Sequence, residues 1–316
     1  MRTTLVAALG LLTCFSFSSM TLGQDAAKPQ DEVVVKLLDA GASPRKALRL
    51  TSKKGDKQSA VMTMKINQEM VIRGQKIPVP ATPAMKFTMD VAITDVAENG
   101  DISFQYVYPA VALVEEDGVA AQTKELMEGM LKSMEGLKGS GVVTSRGFAK
   151  SAEIEMPENV APQIKAMVDS MKESMSKMSS PLPEEAIGVG GKWSVTQAIT
   201  SNGMTMQQTS THTLKAIKGD TFEVDIELTQ SAEDQEMKAP GLPPGTKMTL
   251  KSLESTGSGE MSLSTKDLFP VSEMKTQSKM SMEMDAGGQI QPIDANLTIE
   301  MSITAPASDK AAATKQ

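Results

Sequence analysis

The sequence predicts a mainly β fold of α+β type. It is read as a large curved antiparallel sheet or open barrel, built from two related halves, with two central amphipathic helices packed on its apolar face. Three observations predict it. Apolar residues, many of them methionine, recur at every second position over long stretches. Corners rich in Gly, Asn and Asp separate those stretches. Two segments near the middle switch to apolar spacings of three and four, the helical period.

The chain opens with Met1 and Arg2, then an apolar run from Leu5 to Phe17, then Thr21 and Gly23 ahead of Gln24. A positive start, a short apolar stretch and small residues before a cleavage point make residues 1–23 a secretory signal peptide, cut near Gly23–Gln24. The run is too short for a lasting bilayer anchor and no later stretch reaches spanning length. An extracytoplasmic protein, periplasmic or secreted, with no membrane span is therefore expected. Cys14 is the only cysteine and falls inside the leader. Thr13 is bulky for the residue before an acylated cysteine, so Cys14 is read as leaving with the leader. The remaining chain then has no disulfide and no thiolate for catalysis or metal binding.

Residues 24–44 form a polar N-terminal segment in which Val33, Val34, Val35, Leu37 and Leu38, ahead of Gly41, read as a short helix ended by glycine. Residues 45–304 are the β-rich domain. In its first long run Ala60, Met62, Met64, Ile66, Met70 and Ile72 alternate with Thr63, Lys65, Asn67 and Glu69. Residues two apart on a strand share a face, so this is a ribbon with one apolar side. The pattern returns at Met85, Phe87, Met89, Val91 and Ile93, and at Met280, Met282 and Met284. Asn99-Gly100, Lys218-Gly219-Asp220 and Asp285 to Gly288 supply hairpin corners. Leu126, Met127, Met130, Leu131, Met134 and Leu137 make helix 122–138 amphipathic. Val160, Ile164, Met167, Met171, Met175 and Met178 do the same for helix 159–178, which Pro181 and Pro183 terminate. The tail 305–316 is Ala, Ser, Lys and Thr without period and is expected to be disordered.

A weak internal duplication divides the domain into halves 45–156 and 190–304 around these helices. Gly55-Asp56-Lys57-Gln58-Ser59 opens one half and Gly190-Gly191-Lys192-Trp193-Ser194 the other. Met85 to Asp101 and Met204 to Asp220 are equally long, place Thr94 against Thr213 and end in the same Gly-Asp corner.

The formal net charge of −7, with lysines dispersed, gives no basic footprint for nucleic acid. His212 is the single histidine, and the reading sets Ser210 on the opposite strand face, so no triad is nominated. Glu223, Asp225 and Glu227 alternate with Phe222, Val224, Ile226 and Leu228 as a solvated face does, and no calcium loop is present. Gly188 to Lys192 lacks the spacing of a phosphate loop, with Trp193 where Ser or Thr must bind magnesium. No enzyme activity and no cofactor are expected.

What stands out is methionine, with 25 residues against 7 Phe, 2 Tyr and 1 Trp. Such soft side chains fill irregular cores or line sites for greasy ligands. The ligand-lining candidates are Met62, Met64, Met89, Met130, Met134, Met167, Met171, Met175 and Met282, with no metal site assigned. Met-x-Met pairs at Met62/Met64, Met204/Met206 and Met280/Met282/Met284 also admit Cu(I), a soft ion, although sulfurs two apart on a strand are about 7 Å apart.

The leader, the segment Leu48 to Lys57 with its Lys54-Gly55-Asp56, and the Met/Thr-rich strands resemble an uncharacterised family of exported bacterial β-rich proteins with a Lys-x-Gly-Asp start. Gln58 stands where that family carries an aromatic residue. The resemblance implies no activity. The architecture is also similar to periplasmic lipoprotein carriers and mycobacterial lipid-binding lipoproteins, which implies a curved sheet closed by helices over an apolar cavity. The function expected is an exported, non-catalytic binding protein for an apolar, lipid-like ligand. The alternatives are a structural or protein-interaction domain, partnered by another exported protein, and Cu(I) handling.

Overall fold

The computed structural model describes residues 33–116, 118–155, 181–201, 204–237 and 246–306. The leader, helix 159–178 with Met167, Met171 and Met175, and the tail beyond Pro306 lie outside the described residues.

The alternating runs become fourteen strands of one antiparallel sheet that does not close. In chain order these are β1 (Val34–Asp39), β2 (Lys57–Ile72), β3 (Gln75–Ile77), β4 (Met85–Val96), β5 (Ile102–Leu113), β6 (Lys138–Val143), β7 (Ala149–Glu155) and β8 (Lys192–Ser201). They continue with β9 (Met204–Lys218), β10 (Thr221–Ala232), β11 (Gln235–Met237), β12 (Thr246–Ser264), β13 (Val271–Ala286) and β14 (Gln289–Thr304). Across the sheet they run β1, β8, β9, β10, β12, β13, β14, β2, β4, β5, β6, β7, with β3 beside β2 and β11 beside β12. Two hairpin meanders are thus joined where the last strand, β14, pairs with β2. The corners are those the glycines predict: Gly100, Gly219, Gly287 and Gly288 all take positive φ, open to glycine without strain.

The short helix read into 24–44 is instead strand β1. Three consecutive valines are β-branched and favour the pleated conformation, and β8 supplies a partner in register, Val35 opposite Val195 and Leu37 opposite Trp193. The helix expected over 122–138 is α1 (Ala121–Lys132) and stops early. The Ser133 hydroxyl donates to the Met130 carbonyl, and Gly136, in the left-handed region, turns the chain into β6. Met134 and Leu137 keep the helical stripe because they still pack inward, beside the third cluster below.

Three clusters make the core. The first joins Ile93 and Ile102 on β4 and β5 to Trp193, Leu214 and Phe222 on β8, β9 and β10. These strands belong to opposite wings, so the sheet curls until its wings meet at this end. Between them runs the segment carrying Leu48 and Leu50, both buried. Two of its amides are paired across to the wings: Leu50 N–H donates to Ser145 O at 2.7 Å and Thr51 N–H to Thr265 O at 2.6 Å. Arg49 fastens the same end, donating to the carbonyls of Pro183 and Glu184. The second cluster, at the opposite strand ends, is rich in methionine: Met70, Met204, Met248, Met282 and Met284 with Leu250 and Ile293. The third sits under α1 and gathers Phe87, Val91, Tyr106, Tyr108 and Leu131.

The two half-openings share one hydrogen-bond pattern. Gly55 N–H donates to Ile93 O while Ile93 N–H returns to Asp56 O; Gly190 N–H donates to Leu214 O while Leu214 N–H returns to Gly191 O. That pattern sets Ile93 against Leu214, and so differs from the alignment of Thr94 with Thr213.

Candidate functional site

Alternation gives the sheet an inner and an outer face. From the inner face of β2, β4, β8, β9, β10, β12, β13 and β14 no Asp, Glu, Lys or Arg side chain points inward among the described residues. The only titratable group there is His212.

The inner face is closed at both strand ends and half-open between them. Met282, Met70 and Met248 are packed to 2% exposure in the second cluster. Along the seam of β14 and β2, by contrast, Leu297, Ile299, Met301 and Ile303 face Gln68, Ile66, Met64 and Met62 in register, and all are half-buried. Met64, Ile66, Leu297, Ile299, Met301 and Ile303 belong to none of the three clusters. They form a continuous apolar lane that the described protein covers only in part.

The candidate methionines therefore divide. Met64 lies on the lane, while Met62, opposite Ile303 at its end, and Met89, one strand over, both pack against the third cluster. Met130 is half-buried on α1, and Met134 lies in the turn after it and packs against the same cluster. Met282 is part of the closed second cluster. The Met-x-Met pairs share faces as expected, but the tighter grouping runs across strands. Met274, Met301, Met64 and Met85 sit directly opposite one another on β13, β14, β2 and β4.

A polar row that sequence reading did not single out crosses the same face. Gln197, Gln208, Gln230, Ser255, Ser278, Leu297 and Gln68 occupy matching positions on seven adjacent strands. Gln230 donates to Gln208 at 2.7 Å and Ser255 to Ser278 at 2.8 Å. The carbonyl oxygen of the buried Gln197 side chain has no partner among the described residues. The signal was parity: Met204, Met206, Gln208, Ser210 and His212 alternate without a break.

Parity also corrects the placement of Ser210. It is two residues from His212, shares its face, and its hydroxyl lies 2.9 Å from His212 Nε2. Burial pushes the imidazole pKa down to about 4, so the ring is neutral at ordinary pH. Its Nδ1 has no partner among the described residues. Among the described residues no carboxylate is hydrogen-bonded to the ring, the position a third member takes in Ser-His catalysis.

A concavity of about 1390 Å³ lies mainly on the outer face, lined among others by Glu223, Asp225, Glu227, Glu260, Glu273 and Lys275. Asp225, Glu260 and Glu273 are direct cross-strand neighbours. Lys215 offsets part of this repulsion, 2.8 Å from Asp225, which raises its pKa. No three His, Cys, Asp or Glu side chains are placed to hold a metal ion among the described residues. No helix of the described residues is long and apolar enough to cross a membrane.

Fold and inner face together describe a mainly β protein built on one open antiparallel sheet. Residues 158–270, from before β8 to the end of the β12–β13 loop, match the model of a family of unknown function, DUF6263. No curated protein matches the sequence.

Proposed function

We propose that this is an exported, non-catalytic protein that binds an apolar, lipid-like ligand along the β14–β2 lane. The observation that carries the reading is the lane itself: methionine, isoleucine and leucine side chains, half-buried, in register on two strands and outside every packed cluster. Apolar surface left in contact with water gains about 25 cal/mol per Å² when a ligand covers it, and thioethers adapt their shape to what arrives. Export rests on the leader pattern of residues 1–23.

A second reading, a structural or protein-interaction domain, is favoured by the closed packing of Met70, Met248, Met282 and Met284. Cu(I) handling is a third. It draws support from the row Met274, Met301, Met64 and Met85, where cross-strand neighbours stand about 5 Å apart instead of 7 Å. Native mass spectrometry of the protein from a membrane-containing host, with and without added Cu(I), separates them. Co-purified lipid is expected. A clean apo mass in both samples would favour the second reading, and a stoichiometric copper adduct the third.

A further inference from the structure

We propose that the ligand of the lane is an uncharged amphiphile, a single long aliphatic chain with a hydroxyl- or amide-bearing head. This rests on the apolar-ligand reading above and specifies its chemistry.

The lane has a polar end. Leu297 is flanked by Ser278 on β13 and Gln68 on β2, and its neighbour Ile299 is flanked by Thr276. Ser278 accepts the Ser255 hydroxyl proton, which leaves its own O–H free to donate. The Gln68 amide and the Thr276 hydroxyl make no hydrogen bond to any described residue, although both side chains are half-buried on the inner face. Three uncharged polar groups with spare hydrogen-bonding capacity thus surround one end of an apolar strip. From Leu297 to Ile303 the strip is six residues of strand, about 20 Å, which suits a long fatty chain.

Charge selects the head. A carboxylate or phosphate at Leu297 would be drawn from water onto a face with no inward Lys or Arg among the described strands, and an unpaired ion in such a place is strongly disfavoured. A glyceryl or amide head loses less on leaving water and regains it from Ser278, Thr276 and Gln68. Each of these groups both donates and accepts, so both kinds of hydrogen bond are available.

The test titrates the protein with 1-monooleoylglycerol and with oleate at pH 8, where oleate is ionised, and reads bound ligand by native mass spectrometry and calorimetry. The expected result is one bound monooleoylglycerol with an affinity at least about tenfold above that for oleate. In the variant Gln68→Leu/Thr276→Val, which keeps side-chain size, that preference should fall below about threefold while chain binding persists. Equal affinities in the wild type would overturn the head assignment and leave the apolar-ligand reading standing. Failure of both probes to bind would overturn both readings. A variant that keeps the full preference would overturn the placement of the head at Leu297.

Discussion

The indole of Trp193 lies flat on the imidazole of His212, ring centroids 4.9 Å apart and planes 10° from parallel. The two are direct neighbours on β8 and β9, and both are almost completely buried. Trp193 Nε1 donates to the Pro181 carbonyl at 3.2 Å, which ties the start of the second meander to the stack.

A pH dependence follows from His212. Its folded pKa is about 4 against 6.5 for a free imidazole. Between these values the unfolded chain takes up a proton that the folded chain refuses. The stability is therefore complete above about pH 6.5 and falls by roughly 3 kcal/mol as the pH drops to about 4. Urea midpoints measured across that range should show the decline, and His212→Phe should remove this component. An equal slope in the variant would assign the decline to other groups.

Gln58 holds a loop that its chain position does not suggest. Its amide donates to Phe269 O at 2.6 Å and accepts from Leu268 and Phe269 N–H at 3.0 and 3.1 Å. Gln58→Leu removes all three bonds and leaves two backbone donors unpaired. A loss of about 2 kcal/mol in chemical denaturation is expected.

Gly139 is required by Tyr106. A Cβ there would stand 2.3 Å from both the Tyr106 hydroxyl and the Glu153 carbonyl, whereas one at Gly129 on α1 meets nothing within 4 Å. Gly139→Ala should destabilise by about 1–3 kcal/mol, and Gly129→Ala should stabilise by up to about 1 kcal/mol. Thermal melts of the two variants should move in opposite directions.

Packed and lane methionines should respond differently to truncation. Met282→Ala opens a cavity in a closed cluster and should cost about 2–5 kcal/mol. Met64→Ala, on the half-open lane, should cost clearly less. Met64→Asp instead places an unpaired charge on the uncharged face and should be the more damaging change at that site. If the Met282 and Met64 alanine variants melt together, the lane is as tightly packed as the core.

Much of the fold was legible because local chemistry decides it. The period of two in Ala60 to Ile72 and the glycine corners at Gly100, Gly219 and Gly287 depend on neighbours in sequence alone. Val33 to Leu38 failed as a reading because a short apolar run satisfies both the strand and helix periods, and only pairing with β8 resolves it. The lane, the methionine row and the polar row were less accessible. They exist only once residues near 65 and near 300 are set in register, and no local pattern encodes that pairing. Ser210 and His212 could have been matched by parity alone.

The pairing of β14 with β2 brings Val61 beside Thr304. A ribosome emitting this chain completes the first meander long before the strand that must cover its β2 edge exists. That edge, with its row of open amides, is a template for the wrong neighbour until β14 arrives. Assembly should therefore be slow and governed by distant contacts, and loss of even the final strand should yield aggregation in place of a smaller folded product.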